Sequence, residues 1–200
     1  MEHVEKRDAV MQAALELVGE HGFHGSPMAL IAERAGVAAG TIYRFFDSKD
    51  TLIKEIHAWL EGQIVAAVTE GYPDGQPVRE RFLHSGRKVV EYFLASPLQF
   101  RFLEQFHNSP YGVANKREKV FGKKEGNIIG ELFEEARKQG IIKDLPQPIL
   151  FALTFGPLVD ICRDHILEFI SLDDRLIGRT VEACWDAVRR EPIGTLHRKA

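Results

Sequence analysis

Two hundred residues carry 26 Lys and Arg against 29 Asp and Glu, a formal net charge of −3, so no chain-wide basic field marks a nucleic-acid binder. Only two cysteines, Cys162 and Cys184, exclude a disulfide scaffold; both fall within apolar helical patterns and are expected as buried free thiols. The longest uncharged run, 145–159, contains Pro146, Pro148, Gly156 and Pro157 and is shorter than the ~20 apolar residues of a membrane span, so a soluble, cytoplasmic protein is expected.

In chain order, 1–8 is a charged lead-in, with Lys6 and Arg7 near the start of a first helix. Val10, Ala13, Ala14, Leu17 and Val18 form its apolar stripe, and Gly22 stops it. Phe23 is expected to plug a three-helix core against Ile31 and Phe46. Ser26 suits an N-cap, with Pro27 at the first helical position, where its missing N–H costs nothing. Met28, Ile31, Ala32 and Ala35 follow at i, i+3, i+4 and i+7, and Gly36 ends that helix where a left-handed residue is usual. Val37 restarts the pattern, with Ile42 and Phe46 one turn apart. A rotation of about 100° per residue puts Gly40 and Arg44 opposite Ile42, flanked by Thr41 and Tyr43. That face is small, hydroxylic, aromatic and basic, which suits a DNA major groove. The spacing alone fits an ordinary αα-hairpin equally well.

Ile31-Ala32, Ala35-Gly36-Val37, Gly40-Thr41-Ile42-Tyr43-Arg44-Phe45-Phe46 and Ser48-Lys49-Asp50-x-Leu52 together resemble the DNA-binding module of the TetR family of transcriptional regulators. The resemblance implies an all-α, dimeric, ligand-controlled repressor. Residues 1–47 would be the helix-turn-helix domain and 48–200 the helical ligand-binding and dimerisation domain. The last two helices would pair with their copies in a four-helix bundle, and two reading helices about one DNA turn (~34–36 Å) apart would meet a near-palindromic operator. DNA contact is expected over Ser26, Ala38, Ala39, Gly40, Thr41, Tyr43, Arg44 and Lys49, with Lys49 on a phosphate. Two positions depart from the family pattern. Ala38-Ala39 stand where Ser-Lys is frequent, losing a cap and a phosphate cation, together about 1–2 kcal/mol per subunit. Leu30 stands where an acid is common. The first fifty residues hold five cations (Lys6, Arg7, Arg34, Arg44, Lys49) against eight acids, so DNA affinity rests on where those cations sit.

Ser48 is expected to cap a long fourth helix carrying Leu52, Ile53, Ile56, Leu60 and Ile64, with Asp50 favoured in its first turn. Tyr72-Pro73-Asp74-Gly75 reads as a turn. Helices are expected over 78–95 and 98–107, a loop over 108–112, and a helix over 116–138. Residues 148–170 are apolar on nearly every side, the pattern of a buried or shared helix, with a kink expected at Pro157. Ser171 with Asp174 three residues on signals a last helix striped by Ile177, Val181, Cys184 and Val188.

The middle of the chain is rich in aromatic residues. Each is most simply core, but as a group they suit a pocket for an apolar or aromatic, even cationic, small molecule. Trp59, Phe93, Phe106, Phe121 and Phe155 are the candidate lining, with His107, Thr154 and Asp160 as polar contacts. No cofactor or metal is expected: His21 and His24 lack further ligands at metal spacing. Ser85-Gly86-Arg87-Lys88 matches S-x-x-K without its partner motifs, so an enzyme is not expected. The rival to the repressor is a dimeric helical sensor or adaptor with weak or no specific DNA binding, favoured by the acidic first quarter and Ala38-Ala39.

Overall fold

Periodicity and turn chemistry generate an all-α chain. The computed structural model describes residues 3–121 and 128–190. Its helices are α1 (His3–His21), α2 (Met28–Arg34), α3 (Ala39–Ile42), α4 (Lys49–Thr69), α5 (Val78–Ala95), α6 (Pro97–His107), α7 (Pro110–Phe121), α8 (Ile128–Lys138), α9 (Gln147–Ile166) and α10 (Asp174–Val188). One isolated antiparallel β-bridge joins Ile142 to Arg189. No helix among them is long and apolar enough to cross a membrane.

The chain divides into two compact units that do not follow chain order: 1–67 with 95–123, and 68–94 with 124–200. The first holds the three N-terminal helices, most of α4, and α6 and α7. Val10, Ala14, Leu17, Val18, Ile31, Ala32, Ile42 and Phe46 are buried at its N-terminal end. Gly36 closes α2 at φ 65°, with Val37 N–H bonded to Ala32 O at 3.0 Å and Gly36 N–H to Glu33 O at 3.0 Å. This is a Schellman closure, and its left-handed residue is the reason a glycine stands there. Ser48 caps α4 as expected, its hydroxyl accepting the Thr51 N–H at 3.1 Å.

Several local expectations need correction. Ser26 is not the cap of α2: it is buried, and its hydroxyl donates to the Gly22 carbonyl at 2.7 Å, while Pro27 occupies the cap without a side-chain bond. Phe23 does not plug the core against Ile31 and Phe46. It packs edge-on to Phe102 (centroids 6.0 Å) and Tyr111 (5.4 Å). The loop expected over 108–112 is confined to 108–109, because Pro110 begins α7, a position that tolerates its missing N–H. The helix expected over 116–138 is covered by α7 and α8, and 122–127 lies outside the described residues. Asp173, not Ser171, caps α10 by accepting the Leu176 N–H at 2.7 Å.

In the second unit Phe82 is the centre of an aromatic cluster, 5.8 Å from Phe155 and 5.2 Å from Trp185. Arg81 joins α5 to α8 through Glu135 at 2.6 Å. Cys162 and Cys184 are buried free thiols, and burial pushes Cys162 up to about 12. Helix α5 crosses α10 closely at Gly86, where an added Cβ would lie 2.7 Å from Cγ1 of Val181. Val181 is itself buried and branched, so it cannot yield cheaply. Gly86→Ala is therefore expected to destabilise the protein by about 1–3 kcal/mol in thermal or urea unfolding.

Candidate nucleic-acid interface

The reading surface is built on two anchors. Ile42 and Phe46, both at 0% exposure, root it in the core, and the Phe46 N–H continues the helical turn to Ile42 O at 3.0 Å. The helix proper is shorter than the spacing suggested: α3 is Ala39–Ile42, followed by a turn in which Arg44 N–H bonds Thr41 O at 3.1 Å. Ala38 occupies the N-cap without a side-chain bond, as expected for a residue lacking a hydroxyl. Opposite the anchors lie Ala38, Ala39, Gly40, Tyr43 and Arg44, all exposed, with Thr41 half-buried. A Cβ placed on Gly40 would meet nothing within 4 Å, so the fold itself does not require a glycine there.

Three cations of this unit are engaged within it. Arg7 pairs with Glu55, and its guanidinium lies 5.2 Å over the Phe46 ring. Arg34 bridges Glu16 at 3.4 Å and Glu20 at 3.6 Å. Lys49, expected on a phosphate, instead donates to the carbonyl of Phe23, and burial lowers its pKa below the ordinary lysine value. The Arg44 side chain makes no hydrogen bond or ion pair among the described residues. Of the eight expected DNA contacts, Ser26 must be set aside: it is buried with its hydroxyl turned inward to Gly22.

The expected ligand residues are divided between the two units. Trp59, Phe106 and His107 belong to the first unit, where Phe106 is buried against the stacked ring of His57 (3.8 Å) and Trp59 and His107 are exposed. Phe93 and Phe155 are buried in the second. Thr154 is also buried there, but its hydroxyl is taken by the Leu150 carbonyl at 2.8 Å. Asp160 is exposed and paired with Arg163 at 2.7 Å. The side chain of Phe121 lies outside the described residues. An open groove of about 460 Å³ runs between α5 and α10 along Leu83, His84, Arg87, Gly178 and Val181, and no expected ligand residue lines it. Among the described residues no group of three or more His, Cys, Asp or Glu is placed to hold a metal.

Sequence reasoning missed one cluster. Tyr111 donates to Asp50 at 2.5 Å while its ring packs on Phe23. No local signal announces it, since its members lie on three distant segments.

Comparison with known proteins gives two family-model matches: the N-terminal model of bacterial regulatory proteins, tetR family, over 10–56, and a tetracyclin repressor-like C-terminal domain over 77–189. An HTH-type transcriptional regulator of Haemophilus influenzae is 23% identical over 184 residues, covering 92% of this chain and 95% of the relative. A TetR family transcription regulator from Marinobacter aquaeolei superposes with a TM-score of 0.82 at 23% identity, covering 94% and 97% of the two chains. One from Vibrio parahaemolyticus has a TM-score of 0.73 at 31% identity, covering 93% and 99%.

Proposed function

The chain belongs to the TetR family of bacterial transcriptional regulators, and from that premise we propose that it is a repressor that binds a near-palindromic operator as a homodimer and releases it to a small apolar or aromatic effector. The observation carrying the DNA reading is the exposed Gly40–Arg44 face above the fully buried Ile42 and Phe46. Ala38, Ala39 and Gly40 bring backbone close to the groove, Thr41 and Tyr43 bond phosphate or base edges, and Arg44 reads a base. Homodimer formation through α9 and α10 would set two such faces on one duplex. Effector binding acts by favouring the form with displaced reading heads.

Selection of bound duplexes from a random library with the purified protein tests this directly. An enriched near-palindrome is expected; failure to enrich any sequence removes the operator reading. A thermal-shift screen of apolar and aromatic compounds, followed by release of that duplex, tests the effector. The adaptor reading draws on the internal pairing of Arg7, Arg34 and Lys49, and salt separates the two. A repressor loses affinity steeply as salt rises, whereas an adaptor has no specific binding to lose.

Gly40 gives a prediction with opposed signs. Because its Cβ position is empty, Gly40→Ala should leave stability unchanged or raise it by up to about 0.5–1 kcal/mol. The same methyl should weaken duplex binding by holding the backbone away from the groove. Thermal unfolding and a duplex titration on one preparation check both halves.

A further inference from the structure

We infer that Lys49 and Tyr111 are positioning residues for the reading segment: with Phe23 and Asp50 they form a clasp that fixes the start of α4 between the α1–α2 turn and the α6–α7 corner, and Lys49 holds a protein carbonyl in place of a DNA phosphate. The inference rests on the DNA reading above.

The clasp is a closed circuit of contacts within one compact unit. Lys49 Nζ donates to the Phe23 carbonyl. The adjacent Asp50 accepts the Tyr111 hydroxyl at 2.5 Å, and the Tyr111 ring returns to the Phe23 ring at 5.4 Å. Phe102 and Phe106 of α6 back the two rings at 6.0 and 6.1 Å.

Each half has a physical reason. Among the described residues the Phe23 carbonyl otherwise takes only a long 3.4 Å bond from Ser26 N–H, so the ammonium supplies its main partner there. A cation in the first turn of a helix is disfavoured by the dipole, and Asp50 beside it offsets that. Burial, and then the bond to Asp50, push the Tyr111 phenol up to about 12, so it donates throughout the range in which duplex binding is measured. Phe46, which anchors the reading segment, lies only three residues before Lys49.

The test compares wild type, Lys49→Met and Tyr111→Phe, which keep side-chain length or ring, on the duplex selected with wild type. Each variant should bind about three- to tenfold more weakly with an unchanged slope of log affinity against log salt. In the absence of DNA, amide exchange over 22–26 and 46–52 should accelerate by about tenfold in both variants. A Lys49→Met slope smaller by about 0.9 per subunit, with exchange unaltered, would identify a phosphate contact and overturn the clasp. Unaltered exchange in Tyr111→Phe overturns it as well. If wild type selects no duplex, the DNA reading fails alone, and the exchange measurement still decides the clasp.

Discussion

Arg44→Ala should abolish discrimination between the selected operator and unrelated duplex while leaving the protein folded. Arg44 is exposed, its side chain has no hydrogen bond or ion pair among the described residues, and it lies on the face opposite the Ile42 anchor. A guanidinium forked onto guanine contributes about 1–3 kcal/mol per site, and a dimer places two on one duplex. The combined loss is then about 2–6 kcal/mol, or roughly thirtyfold to more than ten-thousandfold in operator affinity. Little nearby compensates, because Arg7 and Arg34 are held by Glu55, Glu16 and Glu20, and Lys49 by the Phe23 carbonyl. Stability should change by less than about 0.5 kcal/mol, as for surface substitutions away from packed or paired groups. Duplex titrations with operator and scrambled sequence, beside a thermal melt, read both effects. Retained operator preference in the variant would place the reading face elsewhere.

The parts of this molecule that were legible in the sequence are those decided by neighbours in the chain. Ile31, Ala32, Ile42 and Phe46 were readable as a buried set because helical spacing aligns them, and Gly36 because the end of α2 demands a left-handed residue. The α5 boundaries were readable because Gly75 and Ser96-Pro97 punctuate both ends. Where two local signals compete, tertiary packing chooses. Ser171 and Asp173 both suit an N-cap before α10, and the structure uses Asp173. Pro110 looked like loop punctuation but is equally a helix start.

Phe23 was misplaced for a different reason. A single aromatic between two glycines has no periodicity, and its partners Phe102 and Tyr111 lie some eighty residues away. Nor can composition tell a pocket ring from a core ring. Phe155 packs on Phe82 and on Phe151, whereas Asp160 turns out to Arg163.

Leu153→Glu is expected to split the proposed homodimer and, with it, operator binding. Helix α9 buries Leu150, Phe155, Leu158 and Cys162 within its own unit. Its other side leaves Ile149 47%, Phe151 49% and Leu153 39% exposed, and the turn that follows leaves Phe169 75% exposed. Ile149, Ala152, Leu153, Gly156 and Pro157 recur at i, i+3, i+4, i+7 and i+8, the stripe by which one helix packs on another. An apolar stripe of this kind on α9, with Leu176 and Ala183 of α10 exposed as well, is what a self-complementary two-fold interface uses, and the uncharged run from 145 to 159 supplies the stripe.

In a free subunit a glutamate at 153 still reaches water, so the fold should survive with near-wild-type helix content. In a dimer two carboxylates would be drawn out of water beside one another across the symmetry axis, at several kcal/mol per ion. Dimer dissociation should therefore strengthen at least a thousandfold, and sedimentation should report a folded monomer at micromolar concentration. A single reading head forgoes the gain of linked binding, so affinity for the near-palindrome should fall by about 10²–10⁴ while a half-site binds no worse than before. A variant that still sediments as a dimer and still holds the full operator would mean that α9 and α10 do not form the interface.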